Sequence, residues 1–196
     1  MSTSALSVLK GISNVYSYAS FLEMCQSLLA EGKTTSHSDQ PVYVHFAKIN
    51  LEKMLHWNQQ DPIDEEMKLK IVSLPGQTWY VITEGWCGDS AHILPVLAQM
   101  AQSNRRIELK IILRDTHPEA IGQYLTNGGK SIPKLIIEEA GKEKAVWGPR
   151  PVACQELYRE LKDRQVKFSE LEARVSEWYI ADQGQSLIRE LFQLTN

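Results

Sequence analysis

Cysteine is scarce in this chain, with three among 196 residues, at Cys25, Cys87 and Cys154. None forms a short pairing, and three are too few for a disulfide framework. Excess charge is lacking too. Lys and Arg total 21 against 24 Asp and Glu, a formal net charge of −3 that gives no electrostatic case for a nucleic-acid or membrane surface. No apolar run approaches the ~20 residues needed to span a bilayer. The N-terminus, MSTSALSVLKGIS, has neither the charged stretch nor the sustained apolar core of a secretory leader, so the cytoplasm is the expected compartment. His37, His45 and His56 fall singly, with no ligand spacing to a cysteine or carboxylate. Neither a metal nor a bound cofactor is expected. Hydrophobic content of 43% and charged content of 23% are those of an ordinary soluble globular protein. The length suits one domain, or one domain with a helical elaboration.

The organising stretch is Trp79 to Ala101, WYVITEGWCGDSAHILPVLAQMA. It reads as a buried strand over Trp79–Thr83, a tight turn at Glu84-Gly85-Trp86, then a helix with Leu94, Leu97, Ala98 and Ala101 inward. Cys87 falls where the turn becomes a helix. Unpaired N–H groups and the positive end of the helix dipole point at its sulfur, which favours a thiolate. A helix end contributes about 0.3–1 kcal/mol, up to ~2 when partly buried, enough to bring a thiol from near 8.5 towards about 7. Asp89, two residues on, opposes this and nearly cancels the effect of the dipole alone. A nearby cation would decide the matter, and Arg114 and Arg150 are the two candidates to pair with Asp89 or with an anionic substrate.

Trp86-Cys87-Gly88-Asp89-Ser90 resembles the active-site motif of the thioredoxin superfamily, W-C-x-x-C, with Ser90 in the place of the second, resolving cysteine. Pro95, five residues past Ser90, matches the family's helix-kinking proline. Ile132-Pro133, 46 residues past Cys87, matches its cis-proline. The likeness covers roughly Thr78 to Asp163. With its N-terminal helices the chain resembles a bacterial branch of thioredoxin-like proteins. The resemblance implies an α/β, thioredoxin-like fold, with a mixed four-stranded central sheet flanked by helices and further helices at both ends.

Three segments follow: a helical N-terminal extension over 1–75, a thioredoxin-like core over 76–165 and a C-terminal helical segment over 166–196. Residues 1–16 lack firm periodicity and read as a loose arm. Ser20 to Glu23 has capping-box spacing, opening a helix with Phe21, Leu22, Cys25, Leu28 and Leu29 inward. Lys33 to Pro41 is a polar loop. A second helix runs from about Val42 to Trp57, with Tyr43, Phe46, Ala47, Leu51, Met54 and Leu55 inward. Asp61-Pro62 reads as the cap of a third through Ile63, Met67 and Ile71. In the core, Ile107–Leu113 is a second strand, parallel to the first by a right-handed crossover. A short helix over Pro118–Leu125 precedes a hairpin of Lys134–Glu138 and Lys144–Trp147. Gly148-Pro149-Arg150-Pro151 leads into a helix through Leu157 and Leu161. Another follows through Leu171, Val175, Trp178 and Tyr179, and Leu187 to Phe192 lies beyond Gly184.

The resemblance implies Cys87, Ser90 and Pro133 as the catalytic set, and Trp86, Gly88, Asp89, Ile132, Arg114 and Arg150 as the substrate-binding set. Pro133 is expected to be cis and to bring Ile132 and Ser131 against the nucleophile, where a substrate chain adds as an extra strand. Trp86 is expected as an exposed apolar platform. A hydroxyl at Ser90 is too weakly acidic to attack a mixed disulfide, so an outside thiol must resolve it. The family's buried acid, six residues before the nucleophile, is replaced by Val81. The two departures agree, since without a resolving thiol that acid has no proton to remove. His92 should point away from Cys87, His117 should lie on the surface, and Cys25 and Cys154 should be core residues.

The leading expectation is a monothiol protein in thiol–disulfide exchange through Cys87, with protein or low-molecular-weight thiol substrates and an external thiol reductant. A binding module that uses the cis-proline groove and the helical extension without turnover is the alternative. Cys87-Gly88-Asp89-Ser90 is also similar to the C-G-F-S motif of monothiol glutaredoxins, which carry an iron–sulfur cluster. Asp89 and Gly148-Pro149-Arg150-Pro151 both depart from that family's pattern.

Overall fold

The computed structural model describes residues 4–36 and 40–195. His37 and part of the polar loop therefore lie outside the described residues. A four-stranded sheet forms the centre, with β1 (Gln77–Thr83), β2 (Ile107–Leu113), β3 (Lys134–Glu139) and β4 (Lys142–Trp147) in the order β2-β1-β3-β4. β1 and β2 are parallel, from Gln77 against Ile107 to Thr83 against Leu113. β3 runs antiparallel to both β1 and β4. The turn Ala140-Gly141 has positive φ at both residues, 50° and 83°, the twist that closes a two-residue hairpin. The expected mixed sheet of a thioredoxin-like fold is present, with helices at both ends of the chain.

The alternation of β1 decides which helices cover which face. Trp79 and Val81 point to one side and join the larger core. There α5 (Gly88–Ser103) packs with α2 (Tyr18–Ala30), α3 (Pro41–Trp57) and α4 (Glu65–Ser73), and with α8 (Phe168–Asp182) and α9 (Gln185–Thr195). Phe21 and Met54 from the N-terminal segment, Leu94 from the middle and Leu191 from the C-terminal segment share this one cluster. Tyr80 and Ile82 point to the other side, where α1 (Ala5–Gly11) and α6 (Pro118–Ile121) cover them. Among the described residues no helix is long and apolar enough to cross a membrane.

Four local expectations are corrected. The supposed loose arm contains α1, capped by Ser4 and burying Leu6 and Leu9. Two turns offer too few apolar positions to establish a period, yet burying each leucine contributes about 1.5–3 kcal/mol. Tyr16 then exchanges two backbone hydrogen bonds with Ile111. Secondly, α2 begins three residues early, because Ser17 is the cap and accepts from the Ser20 amide at 3.1 Å. Thirdly, the cap of α4 is Asp64, which accepts from the Met67 amide at 2.7 Å. The chain passes Asp61-Pro62 without helix, which delivers Ile63 into the core at 1% exposure. Finally, Leu55 of α3 is exposed, while Asn50 and Trp57 are buried.

Candidate functional site

The site forms where β1 ends and α5 begins. Cys87 is the N-cap of α5, with φ −80° and ψ 116°, and its amide donates to the Glu84 carbonyl at 3.2 Å. Its thiol donates across a gap of 3.5 Å to the carbonyl of Ile132. The Ile132–Pro133 bond is cis, and the turn it makes sets that carbonyl against the sulfur. Beyond β4, Gly148–Pro149 is a second cis bond. Gly148 has φ +109°, and a Cβ there would lie 2.4 Å from the Pro133 carbonyl oxygen, so only glycine lets the two turns pack together. Lys134, 4% exposed, fastens them: its ammonium donates to the Gly148 carbonyl at 3.2 Å and to the Thr126 hydroxyl.

Cys87 is 7% exposed and lies on the wall of a cleft of about 670 Å³. Trp86, Gly88, Asp89, Ser131, Ile132 and Arg150 line the same cleft. The balance left open between the helix end, Asp89 and a cation falls on the side of the neutral thiol. Burial pushes its pKa up to about 12, and the Asp89 charge adds to the rise. Hydrogen bonds from Ser90 and the Arg150 charge act in the opposite sense and are outweighed. The helix end is present, as expected, but desolvation of the charged form dominates here.

Of the two candidate cations, Arg150 is the one that reaches Asp89. It does so through two contacts, Nε to Oδ1 at 2.9 Å and Nη2 to Oδ2 at 2.6 Å. Tyr179 of α8 donates its hydroxyl to Asp89 Oδ1 at 3.0 Å. The Arg150 guanidinium lies 3.7 Å from the Tyr158 ring centroid and donates to Gln155 at 3.2 Å. Arg114 is bonded elsewhere. It pairs with Asp115 at 2.7 Å, donates to the Lys130 carbonyl at 3.4 Å and lies over the Trp86 ring at 4.7 Å. Trp86 is accordingly half-buried between Arg114 and Tyr43, whose ring is 5.3 Å away, rather than the exposed platform expected.

Ser90 is 1% exposed and accepts from the Thr83 hydroxyl at 2.6 Å, and its side chain hydrogen-bonds the Cys87 sulfur. His92 is buried away from the cleft. Trp57 donates to its Nδ1 at 2.9 Å, Nε2 faces Ser176 at 3.1 Å, and burial lowers its pKa to about 3. Because Nδ1 accepts, the ring is neutral with its proton on Nε2. His117 is half-buried rather than on the surface: Nδ1 meets Glu119 at 3.0 Å, and Nε2 is buried without a partner. Cys25 and Cys154 are both buried free thiols.

Sequence reasoning missed three participants. Glu84, fully buried, accepts from the Asp115 amide at 2.8 Å and from the Thr35 hydroxyl, and burial raises its pKa to about 7. Its carboxyl ties the turn before Cys87 to the loop after α2. Glu172 of α8 sits against the first turn of α5, where a Cβ on Gly88 would lie 2.9 Å from its Oε2. The sequence marks Tyr179 only as an apolar position on its helix. No local pattern marks these residues, because each meets the site through tertiary packing. Among the described residues, no group of three or more His, Cys, Asp or Glu side chains could hold a metal ion.

No curated protein sequence matches this chain. A crystal structure of a Pseudomonas aeruginosa protein of unknown function is similar at 16% identity, with 94% of this chain and 99% of that chain covered and a TM-score of 0.50. At that identity the likeness bears on the fold alone. An HIV epitope-scaffold protein is similar at 19% identity over 89% of this chain and 98% of that chain, with a TM-score of 0.45. A thioredoxin family model matches residues 37–162, well over half of the sequence and from before α3 to near the end of the helix that follows Pro151. The chain therefore belongs to the thioredoxin family.

Proposed function

We propose that this protein performs thiol–disulfide exchange as a monothiol, through Cys87. The observation that carries the reading is the contact of the Cys87 thiol with the Ile132 carbonyl across the cis-Pro133 turn, on the wall of an open cleft. Cys87 loses its proton, and its thiolate attacks a disulfide RSSR′. A sulfur–sulfur bond forms to R, the bond to R′ breaks, and the proton of Cys87 ends on the leaving R′ thiol. With Ser90 in place of a second thiol, the mixed disulfide waits for an external thiol, which is oxidised as Cys87 is released. The substrates are protein or low-molecular-weight thiols and disulfides in the cytoplasm, and no cofactor takes part.

At rest the thiol is protonated, its pKa pushed up to about 12 by burial and Asp89. Exchange is therefore slow until a substrate is seated. A substrate backbone N–H that takes the Ile132 carbonyl removes the acceptor of the thiol and exposes the sulfur to its target. The same raised pKa supports the second reading, a thioredoxin-fold binding module that uses this groove without turnover.

Incubation with an asymmetric disulfide, followed by acid quenching and intact-mass measurement, separates the two. Exchange requires one adduct on Cys87 that persists until an external thiol is added and is missing in Cys87→Ser. A folded protein that forms no adduct, or one that sheds it without added thiol, rules the monothiol reading out.

A further inference from the structure

The wall of the cleft opposite α3 is one stripe of α7 (Val152–Asp163): Val152, Gln155, Tyr158, Arg159 and Lys162 recur at helical spacing and all line it. Two of the cationic side chains in the cleft have no carboxylate partner. Arg150 is held by Asp89. Among the described residues Arg159 and Lys162 make no ion pair, and Lys162 only lies 5.8 Å over the Tyr158 ring. The one remaining acid in the lining is Glu172, which burial and the Asp89 charge push towards its neutral form, with Lys53 and Arg150 acting against that shift. On a chain with net charge −3, the mouth of this cleft is thus locally positive. The facing wall is apolar. Phe46 and Phe168 meet edge to face at 5.9 Å, and Phe168 remains 63% exposed.

We propose that the cleft receives an acidic peptide segment carrying the disulfide that Cys87 attacks, with its carboxylates against Arg159 and Lys162 and its apolar side chains against Phe46 and Phe168. This rests on the exchange reading for the covalent step and names the substrate class of that site. Two cations beside a low-dielectric wall attract a carboxylate approaching along α7, and they act on encounter more than on the final contact. A basic segment meets like charge, and a small neutral disulfide leaves the apolar wall uncovered.

The test uses the full-length protein and three peptides of equal length that share one central cysteine and one phenylalanine and are flanked by Glu, Gln or Lys. Each is activated as a pyridyl disulfide. The rate of mixed-disulfide formation at Cys87 is expected to be about five- to tenfold higher for the Glu peptide than for the Gln peptide at low salt. That ratio should shrink as ionic strength rises past ~0.15 M, and it should fall towards one in an Arg159→Gln/Lys162→Gln variant. Equal rates for the Glu and Gln peptides, or a ratio unaffected by the double substitution, would overturn the proposal. A small dicarboxylate disulfide that reacts as fast as the Glu peptide would overturn its peptide half. Redox-inert copies with Ser for Cys, followed by fluorescence anisotropy, keep the two readings apart. If they bind with the same charge order while no peptide forms an adduct, the exchange reading fails and the acidic-segment site stands.

Discussion

Replacing Asp89 with Asn tests the electrostatics of the site. Asp89 sits in the first turn of α5, and its charge follows burial as a cause of the raised Cys87 pKa. A neighbouring like charge raises a thiol pKa by about 1–3 units, and a shift of about two units corresponds to roughly 2.7 kcal/mol. Removing it leaves Arg150, whose charge already favours the thiolate, without an opponent at the site. At a fixed pH below the thiol pKa, a two-unit drop raises the thiolate fraction about 100-fold, but a less basic thiolate is a weaker nucleophile. With a Brønsted slope of ~0.4–0.5, about eightfold is lost, and the net acceleration is roughly tenfold. The assay is the second-order rate of iodoacetamide alkylation from pH 6 to 10, read at the Cys87 peptide by mass spectrometry so that Cys25 and Cys154 do not contribute. Asn keeps the shape of Asp and an oxygen for the Tyr179 hydroxyl, now 3.0 Å away. Loss of the buried pair nevertheless costs up to about 3–5 kcal/mol of stability, so circular dichroism must show the variant folded at the assay temperature. A folded Asp89→Asn protein alkylated no faster than the parent would refute the assignment of Asp89 as the charge that suppresses Cys87.

Three further outcomes follow from the same contacts. Ser90→Cys places a thiol within the first turn of α5, so a Cys87 adduct that waits for external thiol in the parent should be released without it, with an internal disulfide appearing in its place; an adduct that persists counts against the role given to Ser90. Gly148→Ala forces a Cβ to 2.4 Å from the Pro133 carbonyl oxygen at a φ of +109°, and it should destabilise the protein by about 2 kcal/mol or more in urea unfolding. Glu84 has its folded pKa raised to about 7 from an ordinary 4.5, so its contribution is fully present below the lower value and lost as pH rises through the higher one. That is roughly 3 kcal/mol across this window, and Glu84→Gln should flatten that part of the stability–pH curve; an unchanged slope would place the titration elsewhere.

How much of this was legible depends on whether a residue acts along the chain or across it. β1, β2 and α5 announce themselves through β-branched runs and an apolar helical face, and Ile107–Leu113 was delimited to the residue. The nucleophile and the proline turn were readable because their spacing is a property of the sequence. So was the Asp89–Arg150 pair, as one of two alternatives; what chose between the arginines was Asp115, the next residue after Arg114, which takes that guanidinium locally. The pKa of Cys87 is not legible in the sequence for a different reason. A helix dipole can be read from a helix start, whereas desolvation depends on everything packed around the sulfur, including Tyr124, Ile121 and Ile82 from other parts of the chain. α1 was missed because two turns are too short for a period, although α1 is what closes the second face of the sheet.

The C-terminal helices change what the site is. The family match ends at residue 162, yet Phe168, Glu172 and Tyr179 all come from α8. Tyr179 holds the carboxylate of Asp89, Glu172 rests on the first turn of α5, and Phe168 forms one wall of the cleft with Phe46. The first two of these contacts meet α5 at its first turn, so part of what surrounds Asp89, the charge beside Cys87, is supplied by a segment outside the matched region. A thiol at a helix start that is left open tends towards the thiolate; the same thiol buried beside a carboxylate which α8 helps to hold does not. The resting chemistry of Cys87 is accordingly set by what packs around the motif, α8 through Asp89 included, and not by the motif alone.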